Sequence, residues 1–543
     1  MAKGDALILS RPGGADVSEE LDLGEIRGAL GRIKAHDVAP RRSWRARLLT
    51  LLAIMGPGLI VMVGNNDAGG VATYALAGQN YGTALLWTLP LLIPVLYVNQ
   101  EMVVRLGAVT GVGHGRLIFE RLGRIWGLFS VSDLFLLNFL TLVTEFIGVS
   151  LGASYFGVSP LIAVPVAGAL LVAITVTGRF QRWERFMFVF LAANALVIPL
   201  AVLSHPPIGP ALHDVAVPSI PGGLSSTTFL FIIAIVGTTV TPWQLFFQES
   251  NVVDKRITPR WLPYERADTL IGAFVVAVGA AALMLAAAHA FAGTPQFGHF
   301  TDAAGVSRGL RDNVGSAAGA IFAVLLIDAS VIGASDVTLA SSYAVGDVFG
   351  VQNSLHRSWR DAKTFYAFFC GFIALAAAVV LLPGAPLGLI TTAVQAFAGV
   401  LLPGAIIVLL LLCNDPEILG PWVNSTVANV LGVVIFGVLL VLSVILTLAT
   451  LVPGIDAGML VAVLGCVLLS ALAGLGFAVW RRPASRRTPF HGDRGSWRMP
   501  PAALFTRARW SRRRLVGMAA LRAYSVIASV GLLVKVIEVG SGH

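Results

Sequence analysis

The sequence predicts an all-α polytopic membrane protein, and three observations carry that expectation. Its 543 residues are 56% apolar and only 12% charged. The apolar residues gather in runs of about twenty, the length at which a helix crosses a bilayer. The charges fall between those runs and in the two tails. A mean hydropathy of +0.81 excludes an ordinary soluble domain. The net charge of +9 is spread over loops rather than gathered in one groove-sized stripe, so it reads as a topology signal and no nucleic-acid partner is expected. Cys370, Cys413 and Cys466 are far apart inside apolar runs, which leaves neither a disulfide framework nor a CxxC metal site and makes them packing residues.

The elements follow in order. Residues 1–47 form a polar tail ending in RRSWRAR, with no short apolar region and small-residue cleavage site, so no removable signal peptide is expected. Apolar spans are expected near 50–79, 84–104, 127–154, 160–178, 184–204, 225–250, 267–292, 315–348, 364–383, 387–413, 426–451 and 457–480. Every second connection carries the basic residues: Arg41 to Arg47, Arg116 to Arg124, Arg179 to Arg185, Lys255 to Arg260, and Arg357 to Lys363. The intervening turns AGQNYGT, YFGVS, SHPPIGPALHDVAVPSIPGG, PGAPLG and VPGIDAG hold no Lys or Arg, and only the 293–314 loop departs, with Arg308 and Arg311. The positive-inside rule then places both termini in the cytoplasm. Residues 481–543 are expected to be a basic cytoplasmic tail, whose AYSVIASVGLLVKVI stretch, edged by Arg522 and Lys535, reads as an interfacial helix favouring the anionic leaflet.

Two spans should be broken. In the first, VGNNDAGG (Val63 to Gly70) places two asparagines, Asp67 and the glycines Gly64, Gly69 and Gly70 at membrane depth. A carboxylate there is costly and glycines weaken a helix. In the sixth, IIAIVGTTVTPW repeats the plan: Val236-Gly237, then polar residues, then Pro242 as breaker, with Trp243 a packing or gating aromatic. Matched interrupted spans in corresponding places point to a transporter of two inverted five-helix repeats, 48–204 and 225–413, followed by helices 11 and 12 within 426–480. Unwound backbone is tolerated at such depth where it lines a cavity or coordinates an ion.

The residues then resemble a known family. GPGLIVMVGNNDAGGVATYALAGQNYGTALLW is similar to the first two helices of the NRAMP divalent-metal transporters. The resemblance continues through RLGAVTG at 105–111, TEFIGVSLG at 144–152, GTTVTPWQL at 237–245, SSYAVGD at 341–347 and VQAFAGVLLPGAIIVLLLLCND at 394–415. It implies a LeuT-like inverted repeat of 5+5 helices with two more after it, alternating access, a multi-pass place in the bacterial inner membrane, a divalent cation as cargo, no cofactor and no enzymatic activity.

It also implies a site, with departures. The family's metal-binding aspartate is kept as Asp67, but its asparagine three residues on is Gly70. The sixth-helix methionine is Thr241, and the residue whose carbonyl binds metal is Thr238. Gln395 matches a glutamine near the metal, and Asn66 and Asn65 stand beside the aspartate. Sulfur selects softer transition metals, whereas hydroxyl, carbonyl, carboxylate and water suit hard cations. Partly hydrated Mg2+ is therefore the expected cargo, with Mn2+ second, as in the NRAMP-related magnesium transporters. The family's two sixth-helix histidines read Trp243 and Gln248, and a third-helix aspartate reads Leu142, leaving Glu145. That pattern implies uptake uncoupled from protons and driven by membrane potential, roughly 4.6 kcal/mol per 100 mV for a divalent ion. The alternative is a proton-coupled NRAMP-like Mn2+/Fe2+ importer. A remote one is an intramembrane aspartyl protease, hinted only by AVGD. Asp328 and Asp336 in DASVIGASD lie eight apart on one helical face and read as structural pairs rather than a second polar lining. Oligomeric state is not legible.

Overall fold

The structure, a computed structural model, describes residues 25–34, 37, 39–176, 179–206, 208–220, 223, 225–299, 302–350, 354–356, 359–382, 387–452, 455–481, 494–501 and 511–540. A small antiparallel hairpin, β1 (Ile26–Arg27) and β2 (Arg32–Ile33), precedes the bundle. The principal helices are α1 (Trp44–Ile54), α2 (Pro57–Val63), α3 (Ala68–Tyr81), α4 (Thr88–Thr110), α5 (Arg124–Tyr155), α6 (Pro160–Thr175), α7 (Phe180–Ala193) and α8 (Val197–Leu203) in the first repeat. The second holds α9 (Ser226–Thr239), α10 (Pro242–Asp254), α11 (Leu262–Phe291), α12 (Ser316–Phe349), α13 (Lys363–Val380) and α14 (Leu387–Cys413). Then come α15 (Thr426–Leu451), α16 (Ala457–Arg481) and α17 (Arg512–Gly540). Among the described residues, 11 helices are long and apolar enough to cross a membrane, or up to 12 if the bent pair α1 and α2 is one span. On α16 the side chains of Met459 and Leu469 are both 68% exposed, an outward apolar face suited to lipid rather than water.

Both anticipated breaks are present. The first span is interrupted between Val63 and Ala68, and the sixth between Thr239 and Pro242. The first bends once more, by 56°, between α1 and α2. At that bend Gly56 takes φ +152°, which suits glycine alone. The glycines of the two motifs do something other than unwind the helices. Gly69 and Gly70 lie in the first turn of α3, and Gly237 lies inside α9. A Cβ at 69 would strike the Gln395 amide, and one at 237 the Gln395 carbonyl. These glycines let α3 and α9 approach α14, as small residues do between membrane helices.

The third helices of the two repeats, α5 and α12, pack along much of their length. Small residues again set the spacing: Gly148 faces Ser330 and Gly152 faces the Ala323 carbonyl, while Gly333 leaves room for Glu145. Cys413 is buried as expected, whereas Cys466 is exposed on α16.

The C-terminal helix departs from its expected interfacial position. α17 packs along the outer side of α14 and α15, with Val516, Ile527 and Val530 facing outward, and its Arg514–Leu532 stretch meets the length and hydropathy of a span. Arg522 accounts for the difference. Its guanidinium donates to Asp133 Oδ2 at 2.7 Å and Ser130 Oγ at 2.6 Å, so the charge that marked an edge is neutralised within the helix packing. Further along, the Tyr524 hydroxyl lies 2.6 Å from Ser443 Oγ, and Ala528 is buried. α17 is one of the 11 helices counted above, or 12 with the bent pair. Residues 1–24, 482–493 and 502–510, which contain most of the two tails, lie outside the described residues.

Candidate cation site at the paired helix breaks

Asp67 is the N-cap of α3, its Oδ1 accepting from Gly70 N at 2.6 Å. This is the local reason an aspartate suits the start of a half-helix, where free N–H groups attract negative charge. One carboxylate oxygen is thereby fixed, and Oδ2 is buried with no hydrogen-bond partner. Glu145, on α5, reaches the same half-helix: its Oε2 accepts from Ala68 N at 3.1 Å while Oε1 has no partner. Opposite both lies Gly333 of α12, where a Cβ would stand 2.7 Å from Glu145 Oε2 and 2.8 Å from Asp67 Cβ.

Two neutral groups complete the neighbourhood. A Cβ at position 70 would lie 3.0 Å from Thr238 Oγ1 and 3.4 Å from Asp67 Oδ1, so Thr238 and Asp67 flank one spot. The Gln395 amide covers Gly69. Thr238 Oγ1 and Gln395 Nε2 are both buried without partners. Each unmade hydrogen bond of this kind costs free energy; the unpartnered hydroxyl and carboxylate oxygens suit a cation with its waters, and the Gln395 amide N–H groups, being donors, suit the oxygens of those waters rather than the ion itself. Among the described residues no three His, Cys, Asp or Glu side chains converge as for a metal ion, so the arrangement relies on hydroxyl, amide and carbonyl groups beside its carboxylates.

Gly70 does not open space beside Asp67. A Cβ there would lie 2.6 Å from the Asn65 carbonyl, so the absent side chain permits close packing rather than extra room. Thr241 is likewise engaged elsewhere. It caps α10, its N–H donating to Gln244 Oε1 at 3.1 Å and its hydroxyl lying 3.5 Å from Asn65 Oδ1. The TPWQ spelling of a capping box was legible in the sequence and is the signal that gives this role. Asn66 turns toward α11, with Nδ2 3.5 Å from the Val276 carbonyl.

Contacts between the two breaks were not foreseeable from sequence. Asn65 Nδ2 donates at 2.9 Å to the carbonyl of Thr239, the last residue of α9, so one broken helix caps the other. Tyr74 OH lies 2.7 Å from Thr239 Oγ1. Trp243 is fully buried, with its ring 6.3 Å from Phe247 and its edge toward Gly64. Asp336 differs from its expected role as a structural pair: it is buried and neither carboxylate oxygen has a partner. Asp328 lies beside Asn194, away from the breaks, and its Oδ2 is also without a hydrogen-bond partner. The Asp347 carboxylate of AVGD sits against Gly113 in the 111–123 connection, away from the breaks.

A second polar cluster lies where the basic loops are. Lys255 Nζ donates to Glu184 Oε1 at 2.6 Å and to the carbonyls of Ile54 and Met55 at 2.7 and 2.8 Å. Asp268 Oδ2 accepts from the N–H groups of Gly56, Gly58 and Leu59, capping α2 from another helix. Glu184 also accepts from Ala29 N, and Gln181 donates to the Gly28 carbonyl, which ties the β-hairpin to the same node.

Comparison with known proteins places this geometry. Residues 58–449 match the model of the family described as natural resistance-associated macrophage protein-like, Nramp. The "Divalent metal cation transporter MntH" of Burkholderia ambifaria is 27% identical over 344 residues, covering 60% of this chain and 76% of that protein. The transporter of the same name from Ralstonia nicotianae is 26% identical over 406 residues, covering 72% and 89%. Among solved structures, the Eremococcus coleocola manganese transporter in complex with an aromatic bis-isothiourea substituted compound superposes with a TM-score of 0.57 at 18% identity, over 84% of this chain and 98% of that one.

Proposed function

From a chain that belongs to the Nramp family, we propose a membrane transporter that imports a divalent metal cation through the site between the two helix breaks. The fold is the LeuT-like inverted repeat with additional C-terminal helices, and the protein is a transporter rather than an enzyme. The observation that carries the reading is the set of unpartnered buried oxygens around Asp67 Oδ2 and Glu145 Oε1. Asp67 attracts the ion, Glu145 holds it or its water shell, Thr238 supplies a neutral ligand and Gln395 holds the ion's waters. The chain's basic loops mark the cytoplasmic side, toward which an inside-negative membrane potential draws a divalent cation.

For the cargo, the residue set favours Mg2+. Position 241 offers a hydroxyl engaged in capping where the family places sulfur, and hard oxygen ligands with retained waters suit magnesium. Positions 243 and 248 carry Trp and Gln, so no histidine there relays protons, and membrane potential alone drives uptake. The second reading is a proton-coupled Mn2+ importer. It is favoured by the names of the relatives, all divalent metal cation transporters, and by the manganese transporter among the solved structures. Titration calorimetry of the purified protein with Mg2+, Mn2+ and Cd2+ separates the two. Millimolar Mg2+ binding with weak Cd2+ binding is expected of the hard site, and tight Cd2+ binding would sink it. Liposomes holding a pH dye should show uptake without acidification; metal-driven acidification supports the coupled reading.

A further inference from the structure

The geometry points to Asp336 as a second cation-binding station, one helical turn from the central site on the side of the basic loops. It takes a divalent cation with its waters, and it rests on the reading of Asp67 and Glu145 as the central site.

Asp336 is 0% exposed, and both of its carboxylate oxygens lack hydrogen-bond partners. It faces the break directly: a Cβ at Gly64 would lie 2.5 Å from Asp336 Oδ2 and 3.4 Å from the edge of Trp243. The three groups therefore meet just below the point where the first span unwinds. Along α12, Asp336 follows by three residues the Gly333 that faces Asp67 and Glu145, an axial step of about 4.5 Å. The next contacts along α12 fix the direction. Asn138 donates to Ser341 Oγ at 2.8 Å, and further on Asp347 meets Gly113 in the basic 111–123 connection. Asp336 is close enough to Glu145 for their charges to interact.

Among the described residues no basic side chain pairs with Asp67, Glu145 or Asp336. Nearby buried carboxylates without a counter-ion repel one another, and a mobile cation relieves that repulsion at each in turn. A pathway also needs binding weak enough, or divided enough, to let the ion leave. Asp336 supplies the next carboxylate for an ion leaving Asp67, and Gly64 leaves the carboxylate's approach to the break clear of any side chain. Asp328 provides the positional control, being a buried carboxylate eight residues away on the same helix, beside Asn194 rather than the break.

The test uses the full chain in proteoliposomes and in titrations, with Mg2+ and Mn2+ as probes. Asp336→Asn should cut the saturating uptake rate at least tenfold while leaving the binding constant within threefold. Asp336→Glu should recover a third or more of the rate, and Asp328→Asn should match the unaltered protein. Wild-type uptake by Asp336→Asn would overturn the second station, and so would loss of binding as complete as that of Asp67→Asn, which would merge Asp336 into the central site. Intact binding by Asp67→Asn instead removes the central site on which the station depends. Should Asp336→Asn not fold, Mn2+ anomalous scattering from the unaltered protein decides: a peak beside Asp336 distinct from one at Asp67 is expected, and a lone peak at Asp67 refutes it.

Discussion

The molecule holds two buried polar clusters of opposite character. Around Lys255, the carboxylates have a cation built into the chain: the ammonium reaches Glu184 and two carbonyls, three backbone N–H groups hold Asp268 Oδ2, and the unpartnered oxygens, Asp268 Oδ1 and those of Glu265, lie near that charge. Around Asp67, the acceptors outnumber the donors, and Asp67 Oδ2, Glu145 Oε1 and both oxygens of Asp336 are left over. A buried acidic network that carries its own cation fixes a structure, whereas one left short of positive charge is completed by something that comes and goes. The contrast separates framework from site without reference to any relative.

It can be broken from either side. The largest effect should come from Lys255→Met, which strands Glu184 in the bundle; removing one partner of a buried pair costs about 3–5 kcal/mol, read as a drop in melting temperature in detergent. Asp67→Asn should do the reverse, leaving stability without added ion unchanged or raised while weakening Mg2+ binding at least 100-fold, about 2.8 kcal/mol by calorimetry. Gly69→Ala tests the packing around the site. Its Cβ collides with Gln395, and overfilling of this kind costs about 1–3 kcal/mol, with a lower uptake rate to match.

The smallest effect concerns His114, in the connection between α4 and α5, whose Nδ1 lies 2.6 Å from Glu249 Oε2. Burial pushes its imidazole down to about 4, against a weaker opposing pull from Asp347. Because the folded state holds this ring neutral, the unfolded chain takes up the extra proton as pH falls from about 6.5 toward 4. The melting temperature should decline over that window, and His114→Gln should flatten part of the decline.

Much of the fold was legible because membrane helices announce themselves. Spans 387–413 and 426–451 agree with their expected ends to the residue. The breaks were legible for a related reason: Asp67 and Pro242 are expensive in a continuous span, so their presence marks a discontinuity. What escaped the sequence were pairings across long chain separations. The sequence of α17 suggests an interfacial helix because Arg522 looks like an edge charge, and only the structure places Asp133, 389 residues away, beside it. Asp336 was read as a structural pair because an unpartnered carboxylate can be recognised only after its surroundings are known. Gly69, Gly70 and Gly237 were read as points of unwinding, since a sequence shows that a Cβ is missing but not which neighbour would have met it.

The knot at Glu184 carries a consequence for how the elements around it move. The β-hairpin, α7, α10 and the start of the first span are joined there through shared atoms, Glu184 to Ala29 and Lys255, and Lys255 to Ile54 and Met55. Each of these bonds ties one element to an atom that another element also uses, so none of the four shifts against the rest without breaking the node. On the side of the basic loops the four elements therefore move as one body for as long as the Glu184–Lys255 pair holds.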